Sequence, residues 1–246
     1  AMARAAGRAE PVLWCGMEYR YIPTITRMIR EAHEGVIGEL KLLTIREHRF
    51  PFLPKVGNWN RFNKNSGGTF VEKCCHFFDL MRFILQEDPV AVMGMGGQAV
   101  NHQNEAYSGE KPDIFDHGYV AVEFESGAKA QLDLCMFAEG SENQEEISLV
   151  GDTAKLEVKI PEGVITHMPR RPKNPTHETV EIDEKVLEAG SHFGSSFFQH
   201  LDFQKAIREG TPPLVTAYDG RMSVQMGLAV QISMTERRWV EMSELV

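Results

Sequence analysis

His117-Gly-Tyr-Val-Ala-Val-Glu-Phe-Glu125 and, after Ser126-Gly127, Ala128-Lys-Ala-Gln-Leu-Asp-Leu-Cys-Met-Phe137 read as two strands joined by a tight turn. Glu125-Ser-Gly127 supplies the hairpin chemistry, because glycine relieves the φ restriction at the turn. The same character runs outward on both sides. Short runs separated by Gly, Pro, Asn and Asp predict further strands at 90–100, 145–150, 154–160, 164–168 and 179–182, with Gly151-Asp152 as a second hairpin turn. Such a succession predicts a large, mostly antiparallel open sheet.

Helices flank this block. Pro23 suits a first helical turn, Ile25, Met28, Ile29 and Ala32 recur at helical spacing, and Gly35 is placed to end the helix. Residues 12–19 form a short apolar run that predicts a strand entering the fold, and 40–48 predict another. Residues 51–65, with two prolines and Gly57, predict a long loop, the kind that is often functional in a compact domain. Ser66-Gly67-Gly68 then introduces a helix whose Phe70, Cys74, Phe77, Met81, Ile84 and Leu85 share a stripe, stopped at Asp88-Pro89. Two more helices close the chain, one through Phe197, Phe198, Leu201, Phe203 and Ile207, the other over 218–237 with Met222, Met226, Ala229, Val230 and Ser233. Helices and strands are segregated, so the class is α+β, with helices on one face of the sheet.

Composition narrows the function. A formal net charge of −9, with only Arg170-Arg171 and Arg237-Arg238 as basic pairs, works against binding nucleic acid or anionic lipid. No stretch approaches the roughly 20 apolar residues that span a bilayer, and a cytoplasmic protein is expected. Cys15, Cys74, Cys75 and Cys135 lack paired spacing, and the histidines lack a metal-ligand arrangement, so no metal is expected. Residues 2–10 read as the tail of a helix that enters the apolar run at 12 without a cap, as if something preceded it.

The chemistry-bearing segment is Ser66-Gly-Gly-Thr-Phe-Val-Glu-Lys-Cys-Cys-His-Phe-Phe-Asp79. At about 100° per residue, His76 lies about 40° and Asp79 about 20° to either side of Glu72, opposite the apolar stripe. A carboxylate and an imidazole one turn apart can hold a substrate hydroxyl and take its proton. Any surface helix also shows a polar face, so spacing leaves both readings open.

S-G-G, an acid, three residues, His, two residues and Asp resembles the helix motif of the Gfo/Idh/MocA family, the glucose-fructose oxidoreductase and inositol dehydrogenase group. Gly16-Met-Glu-Tyr-Arg20 with Pro23, Val36-Ile-Gly38, Trp59, Phe203 to Gly210, and Asp219-Gly220 extend the resemblance along nearly the whole chain. The resemblance implies a two-part enzyme: a Rossmann domain holding NAD or NADP, absent here, and this α+β domain at 12–246. Residues 1–11 would then be the remnant of a linker helix. It places Glu72 and His76 at catalytic positions, although the family more often has Asp where Glu72 stands. Tyr19, Arg20, Trp59, Asp79 and His192 are candidate substrate contacts, with a salt bridge as the other reading of Arg20 and a structural partner as that of Asp79. The implied reaction interconverts a secondary alcohol of a sugar or polyol with its ketone, by a homodimer or higher oligomer formed through the open face of the sheet. The alternative is a non-catalytic binding or oligomerisation module.

Three features invite misreading. The family's lysine lies in a Glu-Lys-Pro motif of the Rossmann half, whereas Glu110-Lys111-Pro112 follows the histidine helix, and Lys111 reads as a surface charge. Lys73, about 100° round the helix from Glu72, is expected to be peripheral. Gly94-Met-Gly96-Gly-Gln-Ala99 fits a dinucleotide fingerprint, but no helical stripe follows to meet a pyrophosphate.

Overall fold

The computed structural model describes residues 12–189 and 192–245; the expected linker remnant, residues 1–11, lies outside them. The described residues build one nine-stranded sheet from β1 (Leu40–His48), β2 (Pro89–Gly97), β3 (His117–Phe124), β4 (Lys129–Cys135), β5 (Glu145–Gly151), β6 (Ala154–Ile160), β7 (Val164–Pro169), β8 (Thr176–Thr179) and β9 (Val240–Glu241). The order is β8-β7-β6-β5-β1-β4-β3-β2-β9. Only β1 and β4 run parallel; the other neighbours are antiparallel.

Alternation along the strands decides which face is covered. In β1, Leu43, Ile45 and Glu47 are buried while Leu42 is exposed; in β5, Glu145, Ile147 and Leu149 are buried. The register sets Leu43 against Leu149, Ile45 against Ile147 and Glu47 against Glu145. The core face of the two strands is therefore aliphatic for two rows and acidic in the third.

The helices are α1 (Pro23–His33), α2 (Asn63–Ser66), α3 (Thr69–Glu72), α4 (Cys75–Leu85), α5 (Glu184–Ala189), α6 (Ser195–Glu209) and α7 (Ala217–Glu236). Phe70, Phe77, Phe78, Ile25 and Met28 are fully buried between helices and sheet, each such side chain contributing about 1.5–3 kcal/mol by leaving water. α7 opens with a capping box, Thr216 accepting from the Asp219 amide and Asp219 from that of Thr216. It lies close along β2, where the Gly94 amide donates to Ser233 Oγ at 3.0 Å and a Cβ on Gly94 would sit 2.7 Å from Val230 Cγ1. None of the described helices is long and apolar enough to cross a membrane.

Three elements differ from expectation. Residues 12–17 are not a strand and lead into a 3-10 turn, Glu18–Tyr21. Their apolar side chains find burial against α6 instead of a pairing partner, and a short apolar run does not distinguish the two. The final hairpin strand falls at Thr176–Thr179 rather than 179–182. The helix expected from 66 to 85 comes in three pieces. Gly67 and Gly68, at φ 74° and 81°, separate α2 from α3, and at Lys73–Cys74 the chain makes a wide turn in which the Cys74 amide donates to the Thr69 carbonyl five residues back, at 3.1 Å. That extra residue shifts the phase of α4 against α3, and breaks of this type gather at functional sites.

Candidate active site

The phase shift separates the two residues expected side by side. Glu72, at the end of α3, turns outward to Lys55, whose Nζ lies 2.5 Å from Glu72 Oε1 and 4.9 Å from the centre of the Trp59 ring. His76, in the first turn of α4, points instead toward the 18–21 turn. Its Nδ1 is buried 3.2 Å from Glu18 Oε2, without hydrogen-bond alignment, while Nε2 keeps accessible surface. Burial, with Lys73, His192 and Lys55 nearby, pushes the imidazole down to about 3, so it is neutral at pH 7. Burial also raises Glu18. The acid that meets His76 is therefore Glu18, and the expected Glu72–His76 pair is corrected.

Arg20 and Asp79, expected near substrate, consume one another. Arg20 Nε and Nη2 each donate to Asp79 at 2.6 Å, Nη1 donates to the Leu214 carbonyl at 3.0 Å, and Asp219 lies 3.3 Å away. Both side chains are sealed from solvent, at 2% and 1% exposure. With its donors spent and its surface covered, Arg20 takes the salt-bridge reading and Asp79 the structural one. The pair ties the 18–21 turn to α4, which fixes where Glu18 and Tyr19 stand relative to His76.

Beneath His76 lies the acidic row. Tyr19 packs its ring 5.5 Å from that of His76 and donates its hydroxyl to Glu145 Oε1 at 2.8 Å. Lys73, far from peripheral, is buried and donates to the Tyr19 hydroxyl at 3.1 Å, with Glu47 Oε1 at 2.9 Å. Arg49 also reaches Glu47, at 3.1 Å. Among the described residues, both nearby cations thus go to Glu47, whereas Glu145 has the neutral donors Tyr19 and Gln144. One oxygen of each glutamate is buried without a partner among the described residues. Burial and the neighbouring Glu47 raise the Glu145 carboxyl.

From this row Tyr19 and Glu145 reach a cavity of about 260 Å³ that Arg49, Phe50, His192 and Phe193 also line. His192 arrives in a left-handed conformation, φ 55°, near both Glu18 and His76. The structure therefore gathers His76, Tyr19 and His192 with three residues not singled out from the sequence: Glu18, Glu47 and Glu145. Glu47 and Glu145 left one trace, a charged residue in phase with Leu43 and Ile45, or with Ile147 and Leu149. Glu72 and Trp59, linked through Lys55, do not line this cavity.

A dinucleotide does not fit the glycine-rich stretch. Gly94 and Gly96 lie inside β2 beneath α7, and the following amides of Ala99, Val100 and Asn101 already donate to the Asp116 carboxylate at 2.7–3.0 Å. An internal anion occupies the place a phosphate would need. Lys111 is exposed, as expected of a surface charge.

Comparison with known proteins agrees with this architecture. Residues 30–242 match the model of the oxidoreductase family's C-terminal alpha/beta domain. The chain is 25% identical over its whole length to a myo-inositol 2-dehydrogenase of Thermotoga maritima, covering 69% of that protein. It is 26% identical over 68% of its length to a scyllo-inositol 2-dehydrogenase (NAD(+)) of Bacillus subtilis, covering 46% of it. A levoglucosan dehydrogenase solved with NADH and levoglucosan superimposes with a TM-score of 0.80 at 18% identity, over 98% of this chain and 69% of that one. The chain thus spans about half to two thirds of the length of these proteins. A family match across most of the chain, with the open sheet and helix layer seen here, establishes that it belongs to the Gfo/Idh/MocA oxidoreductases, as their C-terminal domain.

Proposed function

We propose that this chain is the substrate side of an NAD(P)-dependent dehydrogenase acting on a secondary alcohol of a sugar or polyol, with His76 accepting the hydroxyl proton at Nε2. The observation that carries the reading is a neutral imidazole with Nδ1 buried and Nε2 accessible, beside a cavity lined by hydrogen-bonding groups. Oxidation of such a carbon releases a proton and a hydride. This chain's residues answer for the proton; the nicotinamide that takes the hydride needs a cradle the described residues do not offer. The similarity to inositol dehydrogenases supports the substrate class. Tyr19 and His192, which line the cavity, are the direct polar contacts in this reading.

His76→Asn in the complete dehydrogenase should lower kcat about 10²–10⁴-fold, the usual span for removing a positioned acid–base group, with little change in NADH affinity. Unchanged kcat removes His76 from the chemistry. The enzyme is further proposed to be a cytoplasmic homodimer joined through the sheet face opposite the helices. There the cross-strand neighbours Met95 and Tyr119 are 61% and 53% exposed, an apolar pair of the kind that marks an interface. Light scattering should give twice the chain mass, and Met95→Lys should return the monomer.

A further inference from the structure

We propose that Glu18, rather than Glu72, is the positioning carboxylate of His76: it accepts the proton of Nδ1 and leaves the Nε2 lone pair facing the cleft. This rests on the reading of His76 as proton acceptor. A neutral imidazole carries one ring proton, and its place follows from what each nitrogen meets. Nδ1 is buried, and among the described residues the carboxylate within ion-pair distance of it is that of Glu18, at 3.2 Å. Were the proton on Nε2, a buried lone pair would face a carboxylate oxygen, lone pair against lone pair. With the proton on Nδ1 the same 3.2 Å contact sets a donor against an acceptor.

Glu72 cannot take this part, because the wide turn at Lys73–Cys74 directs it to Lys55. Glu18 is held where it is by its neighbour Arg20, locked to Asp79 on the very helix that carries His76. The charged groups around the pair come from several elements: Lys73 and His192 favour the Glu18 anion and Asp79 opposes it, while Lys73, His192 and Lys55 disfavour a second proton on His76. A positioning acid also serves the chemistry, since the imidazolium formed on proton transfer would be stabilised by the carboxylate at its back.

The test reads the ring nitrogens of this chain by long-range 15N–1H NMR at pH 7. The expected wild-type pattern is a protonated Nδ1 and an unprotonated Nε2 on His76, moving to protonated Nε2 in Glu18→Leu and unchanged in Glu72→Gln. His33, whose Nε2 contacts the Ile84 carbonyl at 3.1 Å, serves as the internal check that the variants are folded. A wild-type His76 protonated on Nε2, including the case in which a protonated Glu18 donates to Nδ1, overturns the assignment. So does a tautomer that survives Glu18→Leu or that is reversed by Glu72→Gln. If Glu18→Leu does not fold, the wild-type tautomer and Glu72→Gln decide. The kcat of His76→Asn is independent of this readout: a lost kcat with the wrong tautomer rejects Glu18 alone, and the right tautomer with an unchanged kcat rejects the role of His76.

Discussion

Two buried ionic clusters lie a few residues apart in this domain and are built on opposite principles. Around Arg20 the groups all find partners: Arg20 meets Asp79 and Asp219, and Arg82 meets Asp219 and Asp88 at 3.1 and 2.6 Å. Around Glu47 and Glu145 they do not. Two carboxyls stand directly opposite across β1 and β5, the cations go to one of them, and an oxygen of each lacks a partner. Like charges facing across strands destabilise a sheet, and an unpartnered buried polar atom costs about 1–3 kcal/mol. A saturated cluster belongs to the scaffold; an unsaturated one beside a cavity is available to a ligand.

The contrast breaks first at Asp79. Asp79→Ala removes both 2.6 Å bonds to the buried Arg20 and leaves its charge only Asp219, at 3.3 Å, and urea denaturation should show a loss of about 3 kcal/mol; a loss under about 1 kcal/mol would mean that the clamp is not structural. His76 comes next. Its folded value of about 3 lies below the ordinary 6.5, so the folded state refuses a proton that the unfolded chain accepts. The stability from this group is complete above about pH 6.5 and drains away as pH falls toward 3. By pH 5 the loss amounts to about 2 kcal/mol. Glu18, shifted upward, acts in the opposite sense, so the measurement is the difference between wild type and His76→Gln at pH 7 and pH 5, in which the Glu18 contribution largely cancels. A difference that does not move with pH would place the imidazole in water. The smallest effect belongs to Glu145→Gln, which keeps an acceptor for Tyr19 and removes the charge facing Glu47. Its stability should stay within about 1 kcal/mol of wild type or rise. A large loss would show that Glu145 is as structural as Asp79.

Much of this was legible along the chain. Period-two strands between turn residues announced the sheet, and the helical stripes at Ile25–Met28 and Met222–Met226 announced its cover. His76 was singled out by its place after the glycine pair and by the family resemblance, since spacing alone left it open. Its partner was not, because angles drawn on an uninterrupted helix carry Glu72 beside it, and nothing local signals the five-residue hydrogen bond from Cys74 to Thr69 that breaks the phase. Lys73 was misplaced for the same reason. Arg20 and Asp79 are 59 residues apart in sequence, and their choice of each other over a substrate depends on packing that no spacing encodes.

The sequence by itself determined which residues alternate, which repeat at helical spacing and where glycine relieves the backbone, since those are properties of neighbours along one chain. The tertiary structure alone decided that Glu47 faces Glu145, that Asp116 fills the place of a phosphate, and that Glu18 stands behind His76. Register, helix phase and burial arise only when distant segments compete for the same contacts, and electrostatics at a buried site follows from that outcome.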